Sequence, residues 1–245
     1  MTWADECDQP EEARTNSDGA INMARFSRPH FFHSIAIAVA LVTAVVVMNA
    51  TAASAQRLSQ LPGLETATFA GGCFWCVEAD FDKVKGVVST LSGFMGGKTP
   101  NPTYRQVVDG GTGHAEVVEI KFDPKQVSFA RLVEIFWRTI DPLDADGQFC
   151  DRGDMYRSAI FYHSQAQKEI AEASKAALAA SGRFRQPIAT EITAASAFTP
   201  AEDNHQDYYR RNPGRYFSYR AGCGRDARLR GLWGAEAGGL NLATQ

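Results

Sequence analysis

A short apolar run near the start decides how much of this chain can form a globular domain. The run covers residues 35–48, and none of them is charged. Arg25 and Arg28 precede it, and an Ala-Ser-Ala motif that ends at Ala55 follows it. This order is that of a secretory signal peptide, and the run is shorter than the roughly 20 residues that cross a bilayer as a helix. We therefore predict a signal peptide over residues 23–55 that is cleaved after Ala55, with a retained membrane anchor as the alternative.

The acidic stretch before Met23 fits no part of a signal peptide. We expect translation to begin at Met23, which would make residues 1–22 a spurious extension. The signal would export the mature chain, most simply to the periplasm. After it we predict a linker over residues 56–65, a folded domain over residues 66–233 and a tail over residues 234–245.

Composition limits the function classes. The chain is 44% hydrophobic and 22% charged, which is ordinary for a soluble globular protein. Its net charge is -3 and the folded part has no basic tract, so we expect no nucleic-acid partner. Cys7 would leave with the leader, and the mature chain keeps Cys73, Cys76, Cys150 and Cys223. An exported protein could hold two structural disulfides, but a domain of this size does not need them, so the neighbours of each cysteine must decide.

Hydrophobic periodicity and Gly/Pro turns predict the secondary structure. We expect strands over residues 66–70, 87–94, 116–122, 156–162 and 190–193. We expect helices over residues 73–82, 104–108, 128–137, 164–180 and 201–210, and an irregular tail beyond Tyr216. This order favours one α+β domain, a two-layer sandwich in which helices pack on a mostly antiparallel sheet, of the split βαβ, ferredoxin-like type.

The segment Gly-Gly-Cys-Phe-Trp-Cys at residues 71–76 carries the most chemistry. It follows a predicted strand, which places Cys73 in the first turn of a helix. Free backbone N–H groups and the helix dipole there favour a thiolate, so we expect a lowered pKa. The glycines leave the sulfur open to approach. Phe74 and Trp75 beside it favour a substrate with a small apolar group.

Three interpretations of these two cysteines compete. A zinc site needs four ligands, and a second closely spaced pair is missing, because the remaining candidates stand alone: Cys150, Cys223, His114, His163 and His205. A thioredoxin-like dithiol fits the local pattern of strand, Cys-x-x-Cys and helix. Two inert buried thiols are the third interpretation. The first interpretation would make the chain a zinc-structured binding module, and the second a disulfide oxidoreductase. The third assigns no chemistry to the two thiols.

Motifs further along the chain favour one family. In order they are GCFW at 72–75, GG-x-TPNPTYR-x-V at 96–107, TGHAE at 112–116, MYRSAI at 155–160 and AED-x-HQ-x-Y at 201–208. Together they resemble the A-type peptide-methionine (S)-S-oxide reductases, over roughly residues 66–233. Five ordered motifs are far more specific than one. The resemblance implies thiol-dependent reduction of methionine-S-sulfoxide, free or in proteins, and a role in the repair of oxidised proteins.

The resemblance also implies roles for single residues. Cys73 would attack the sulfoxide sulfur and become a sulfenic acid, and Glu116 would protonate the oxygen. Tyr104 and Tyr156 would donate hydrogen bonds to that oxygen, and Asp151 would support the set. Without the resemblance, Glu116 could be a solvated surface residue, the tyrosines ordinary half-buried rings, and Asp151 half of a loop salt bridge to its neighbour.

The resemblance leaves the recycling step open. Phe74 and Trp75 would form the wall that receives the substrate methyl group. Cys223, in a Gly-flanked C-terminal segment, is the expected resolving thiol, with Cys76 and Cys150 as alternatives. The commoner family pattern has glycine at the position of Cys76.

The partners follow from the same resemblance. We expect no bound cofactor and no metal, an external dithiol such as thioredoxin as reductant, and a monomer that meets the membrane only if the signal stays uncleaved. His114 and His205 lie in matching motifs, and we expect structural hydrogen bonds from both.

Overall fold

A computed structural model describes residues 63–239. The N-terminal extension, the signal peptide and most of the linker that the sequence predicts lie outside the described residues, as do the last six residues. Cleavage after Ala55 and a start at Met23 therefore stay predictions. Within residues 63–239, no helix combines the length and the apolar character that a membrane span requires.

Eight strands and seven α-helices make up the described part of the chain. The strands are β1 (Glu65–Gly71), β2 (Val87–Met95), β3 (Ala115–Phe122), β4 (Gly147–Gln148), β5 (Asp151–Arg152), β6 (Ser158–Tyr162), β7 (Glu191–Ala194) and β8 (Thr199–Pro200). The helices are α1 (Phe74–Phe81), α2 (Tyr104–Val108), α3 (Phe129–Thr139), α4 (Gln165–Ala180), α5 (Tyr208–Arg211), α6 (Pro213–Gly222) and α7 (Arg225–Trp233). Short 3-10 turns cover Asp154–Tyr156, Asp203–His205 and Gly234–Glu236.

Six strands form one sheet in the order β7-β6-β1-β3-β2-β8. All neighbours are antiparallel except β6 and β7, which are parallel. The central order β6-β1-β3-β2 separates β1 from β2 and β3 from β6, and α1 and α3 lie within these two connections. This is the split βαβ arrangement, so the predicted α+β class and mostly antiparallel sheet are confirmed. The pair β4–β5 forms a separate small hairpin.

A cluster of phenylalanines joins the sheet to its helices. The ring of Phe69 in β1 stacks on Phe81 at 5.2 Å, on Phe129 at 6.2 Å and on Phe136 at 4.8 Å between centroids. All four side chains are buried, and each contributes about 1.5–3 kcal/mol of burial. The opposite face of the sheet buries a second cluster, against which Ala195 and Phe198 pack: Ala70, Met95, Ala115, Val117, Ala159 and Phe161.

Side-chain caps fix two predicted helix starts. Ser128 accepts a hydrogen bond from the backbone of Arg131 at 3.2 Å and begins α3 as expected. Thr103 and Gln106 form a capping box at the start of α2, whose bounds match the prediction.

The prediction of an irregular tail beyond Tyr216 is wrong, because α6 and α7 occupy it. Pro213 begins α6, where its missing N–H costs nothing. Three Gly residues and many arginines hide the helical pattern in the sequence, whereas packing of buried side chains stabilises both helices: Tyr216, Tyr219, Arg225, Leu229 and Trp233. The predicted helix over residues 201–210 is likewise split into a 3-10 turn and α5.

Candidate active site

Cys73 lies where the sequence predicts, between the end of β1 and the first turn of α1, as the N-cap residue. Its carbonyl accepts the backbone N–H of Cys76 at 3.1 Å. Gly72 has a positive φ of 79°, and a Cβ on it would lie 2.6 Å from Cβ of Gln148. Only glycine fits this position, because other residues would be strained and would clash with the β4–β5 hairpin. The conformation of the turn that places the sulfur of Cys73 therefore requires glycine at position 72.

The two thiols of this turn are both free and buried, Cys73 at 3% and Cys76 at 1% exposure. We call Cys73 and Cys76 the inner pair. Burial, then the hydrogen bond with Cys76, raises the pKa of Cys73 well above its usual value. The expected lowering is wrong, since removal from water outweighs the helix start. The hydrogen bond from Cys73, opposed by burial and assisted by Arg225 and Arg220, lowers the pKa of Cys76 instead.

Glu116 approaches the turn from β3. Its side chain is 2% exposed, and Oε2 accepts the backbone N–H of Phe74, the residue after Cys73, at 2.9 Å. Burial raises the pKa of Glu116 well above its usual value, against the effect of that hydrogen bond. A carboxyl kept neutral in this way can donate a proton beside the sulfur of Cys73. The solvated surface position that Glu116 could have occupied is excluded.

The two expected hydroxyl donors are also buried. Tyr104 is 6% exposed and begins α2, where its backbone N–H donates to Oε1 of Glu202 at 2.9 Å. Its ring packs 6.2 Å from that of Phe74, so this side chain lies at the turn. Tyr156 is 4% exposed and ends the 3-10 turn that follows β5.

Asp151 is in β5 and accepts a hydrogen bond at 2.6 Å from the hydroxyl of Tyr219 in α6. Burial raises the pKa of Asp151, and the bond from Tyr219 opposes this. Its neighbour Arg152 pairs with Asp144 at 2.7 Å, so the alternative of a salt bridge between Asp151 and Arg152 is wrong. Sequence reasoning missed Tyr219, because it belongs to the segment expected to be irregular.

Phe74 and Trp75 are 1% and 5% exposed and form one side of the turn. Trp75 stacks on Tyr208 with centroids 3.6 Å apart and planes at 5°. Its Nε1 donates to Nδ1 of His205 at 3.3 Å. Tyr208 was not among the predicted site residues, although the motif at 201–208 ends on it. Motif membership was the available signal.

The two histidines of the matching motifs make structural hydrogen bonds, as expected. Nδ1 of His114 accepts the backbone N–H of Gly97 at 3.2 Å, and its Nε2 lies 2.8 Å from the carbonyl of Thr99. His205 receives the indole of Trp75, and burial lowers the pKa of His205.

The remaining two cysteines are bonded to each other. Cys150 and Cys223, which we call the outer pair, form a disulfide with an S–S length of 1.98 Å and Cα atoms 5.0 Å apart. Cys223 is the C-cap residue of α6 and lies between two helices, so the expectation of an irregular tail around it is wrong. Its predicted role as the resolving thiol stays a prediction.

Metal ligands cluster at one place among residues 63–239. Cys150, Asp151 and Cys223 lie close enough to share an ion, but the disulfide occupies both sulfurs. The inner pair belongs to no such group in the described part of the chain.

Comparison with known proteins decides the family. A family model described as "Peptide methionine sulfoxide reductase" matches residues 65–237. The chain belongs to this family. Curated relatives agree: the peptide methionine sulfoxide reductase MsrA of Listeria monocytogenes serotype 4b is 54% identical over 170 residues, covering 69% of this chain and 96% of that protein. The MsrA of Bacillus subtilis is 52% identical over 172 residues, covering 70% and 97%.

Solved structures give the same family. The reduced form of Mxr1 from Saccharomyces cerevisiae is similar with a TM-score of 0.57 and 32% identity, covering 62% of this chain and 87% of that one. Methionine sulfoxide reductase A of Corynebacterium diphtheriae is similar with a TM-score of 0.56 and 42% identity, covering 63% and 77%. The predicted family, the oxidoreductase class and thiol-dependent sulfoxide reduction are thereby confirmed.

Proposed function

We propose that this reductase acts on the S epimer of methionine sulfoxide, free or in proteins, with Cys73 as nucleophile and Glu116 as acid. One observation carries the assignment: the buried carboxyl of Glu116 bonds to the backbone of the residue next to Cys73. A nucleophile and a neutral acid side by side are what sulfoxide reduction needs, since the oxygen leaves only after it gains a proton.

The first step moves an oxygen atom to sulfur. The sulfur of Cys73 bonds to the sulfoxide sulfur, and the S–O bond breaks once the oxygen is protonated. The new S–S bond then breaks as the oxygen bonds to Cys73, which becomes a sulfenic acid, and methionine leaves with the electron pair of that bond. Glu116 protonates the oxygen during this transfer, and the hydroxyls of Tyr104 and Tyr156 stabilise its developing charge. Asp151, fixed by Tyr219, supports this arrangement.

The substrate methyl group would rest on Phe74 and Trp75. Both rings and Cys73 are at most 5% exposed, so a side chain must move before substrate enters. Tyr208 is only partly buried and covers the face of Trp75. We assign it the outer side of the methyl pocket.

Recycling converts the sulfenic acid to a disulfide. A second thiol of the chain condenses with it and releases water, and thiol–disulfide exchange passes the oxidation onward. Cys223 is the expected partner of Cys73, and its bond to Cys150 would be the product of such an exchange. An external dithiol such as thioredoxin would then reduce the outer pair, which is partly exposed.

Export and repair complete the proposal. We propose that the predicted signal over residues 23–55 directs the protein to the periplasm. There it would repair oxidised proteins as a monomer. Mass spectrometry of the protein purified from its native host should find Gln56 as the first residue. A chain that begins at Met23 would instead support the membrane-anchored alternative.

The test removes the nucleophile. Cys73→Ser should lower the rate of sulfoxide reduction by at least about a thousandfold, because the covalent step disappears. Cys150→Ser is the control for the loss of a thiol, because the first step does not use Cys150. Its first-turnover rate, measured as methionine released per chain without reductant, should stay within about twofold of the wild type. Retained sulfoxide reduction by Cys73→Ser would contradict the mechanism. If the wild type reduced model disulfides but not sulfoxides, the thioredoxin-like alternative would hold instead.

A further inference from the structure

Arg225 is a buried cation that no ion pair explains. It begins α7 and is 1% exposed. Its Nη2 donates to the carbonyls of Gly71 at 3.1 Å and Thr139 at 2.8 Å. Its Nε has no hydrogen-bond partner, and no carboxylate pairs with it within residues 63–239. Carbonyls and an aromatic ring can hold a guanidinium, but they do not cancel its charge, and an uncancelled buried charge is costly.

Arg225 lies against the turn that carries Cys73, over residues 71–73. Gly71, which it binds, is two residues before Cys73. A Cβ built on Gly72 would lie 3.7 Å from Nη1 of Arg225. The guanidinium also lies 4.5 Å from the ring centre of Phe149, the residue before Cys150. Arg225 therefore sits between the turn that carries the inner pair and the hairpin that carries half of the outer pair.

A second arginine near the inner pair is already neutralised. Arg220 pairs with Asp80 at 3.0 Å and with Asp226 at 2.8 Å. Titratable or charged groups from five elements interact with the inner pair: Asp80 of α1, Glu116 of β3, Asp151 of β5, Tyr216, Tyr219 and Arg220 of α6, and Arg225 of α7. Of these two arginines, only Arg225 makes no salt bridge within residues 63–239, although its charge also lowers the pKa of Asp151 and of Asp226.

We infer that Arg225 is a positioning residue that holds one negative charge on the inner pair, so that one of its two sulfurs is a thiolate. The inference rests on the proposed role of Cys73. It resolves how a sulfur buried this deeply can attack, because the two thiols share one hydrogen bond and a proton that crosses it moves the charge to Cys73. In line with this, Arg225 is among the groups that lower the pKa of Cys76.

The test measures thiol reactivity and does not use sulfoxide. Reduced wild type, Arg225→Met and Arg225→Lys are alkylated with iodoacetamide across a pH series, and the peptide of the inner pair is followed by mass spectrometry. Arg225→Met should lower the rate at neutral pH at least about tenfold and move its midpoint to higher pH by one unit or more. Arg225→Lys, which keeps the charge, should recover most of the rate.

Two variants separate this role from others. Arg228→Gln changes an exposed arginine of the same helix, paired with Asp141, and should leave the profile unchanged. Arg225 could instead act by stabilising the negative charge of Asp151, whose pKa it lowers. The Asp151→Asn variant removes that carboxylate, and adding Arg225→Met to it should still shift the pH profile of alkylation. Equal profiles for wild type and Arg225→Met, equal losses in the Met and Lys variants, or loss of the shift in Asp151→Asn would each overturn the inference.

A measurement on the unchanged protein covers the case in which Arg225→Met fails to fold. The ultraviolet thiolate absorbance of reduced wild type at neutral pH should exceed that of a Cys73→Ser/Cys76→Ser variant by one thiolate per chain. No excess would overturn the inference. Because neither readout uses sulfoxide, sulfoxide reduction retained by Cys73→Ser would contradict only the proposed function.

Discussion

The inner and outer pairs both consist of two cysteines, yet they differ in sequence spacing, burial and bonding. The inner pair lies three residues apart in one helical turn, is almost fully buried and is not bonded. The outer pair is 73 residues apart, joins a hairpin to a helix end and is a disulfide. Closeness in sequence therefore does not decide which cysteines pair. Geometry does, because a disulfide needs both Cα atoms within about 4.4–6.8 Å and side chains that point together.

The difference in exposure suggests a division of tasks. A dry site strengthens the effect of hydrogen-bond donors and of a neutral acid, which suits oxygen transfer at the inner pair. Thiol–disulfide exchange with another protein needs access to a sulfur, which suits the partly exposed outer pair.

Breaking the outer pair should have a large effect on recycling. Cys223→Ser should lower steady-state turnover with a dithiol protein reductant by about a hundredfold or more, because the external reductant loses its disulfide. The first turnover, measured as methionine released per chain without reductant, should stay within about twofold. Steady-state turnover at the wild-type rate would show that the inner pair recycles alone.

The acid at the inner pair should set the pH dependence of the first turnover. Burial raises the pKa of Glu116 well above its usual value, so the rate should fall as pH rises through that raised pKa. Glu116→Gln should remove that fall and lower the rate by about 10²–10⁴. Glu119→Gln, three residues along the same strand, is the matched control and should keep the wild-type profile. An unchanged alkaline fall in Glu116→Gln would assign it to another group.

Access should separate the two pairs after reduction. A bulky maleimide applied to the fully reduced protein should label the outer pair about tenfold faster than the inner pair, since only the outer pair is partly exposed. Peptide mass spectrometry at short times would show the order. Equal labelling rates would remove the proposed division between buried chemistry and exposed recycling.

The smallest expected effect is on stability, and it comes from Glu78 in α1, the helix that follows Cys73. Glu78 of α1 accepts the backbone N–H of Asp207, next to Tyr208, and burial raises the pKa of Glu78 to about 7. The folded state therefore prefers a neutral Glu78. Its contribution to stability is full below the unfolded pKa and is lost as pH rises through about 7. Glu78→Gln should reduce the loss of unfolding free energy between pH 5 and pH 8 by about 1–3 kcal/mol, measured by urea denaturation.

An equal pH-dependent loss in Glu78→Gln would show that Glu78 does not titrate on folding. Glu169→Gln, an exposed position on α4, is the control and should retain the wild-type loss.

The sequence predicts the sheet and the placement of Cys73 well, because local signals determine both. Gly71 and Gly72 end a strand, Ser128 caps α3, and alternation marks β3, so the elements can be located without tertiary information. The same reasoning failed for α6 and α7, which depend on long-range packing of residues such as Tyr219 and Trp233.

Electrostatics of the site was the least predictable property. A helix start suggests a lowered pKa for Cys73, but the outcome depends on how deeply the rest of the chain buries it. Likewise, nothing near residue 225 in the sequence marks its arginine as a neighbour of Gly71, because 154 residues separate them. Distances of that kind come only from the fold.

Gly72 has a consequence for the natural variation of this protein. Every missense change there adds a Cβ where Cβ of Gln148 would be 2.6 Å away, on a backbone with positive φ. Such a variant would have to displace the β4–β5 hairpin, which carries Cys150 of the disulfide and contacts Arg225 through Phe149. The absence of a side chain at Gly72 therefore constrains three regions at once: the turn that carries Cys73, the contacts of Arg225 and the Cys150–Cys223 disulfide. A substitution at Gly72 would need compensating changes in all three.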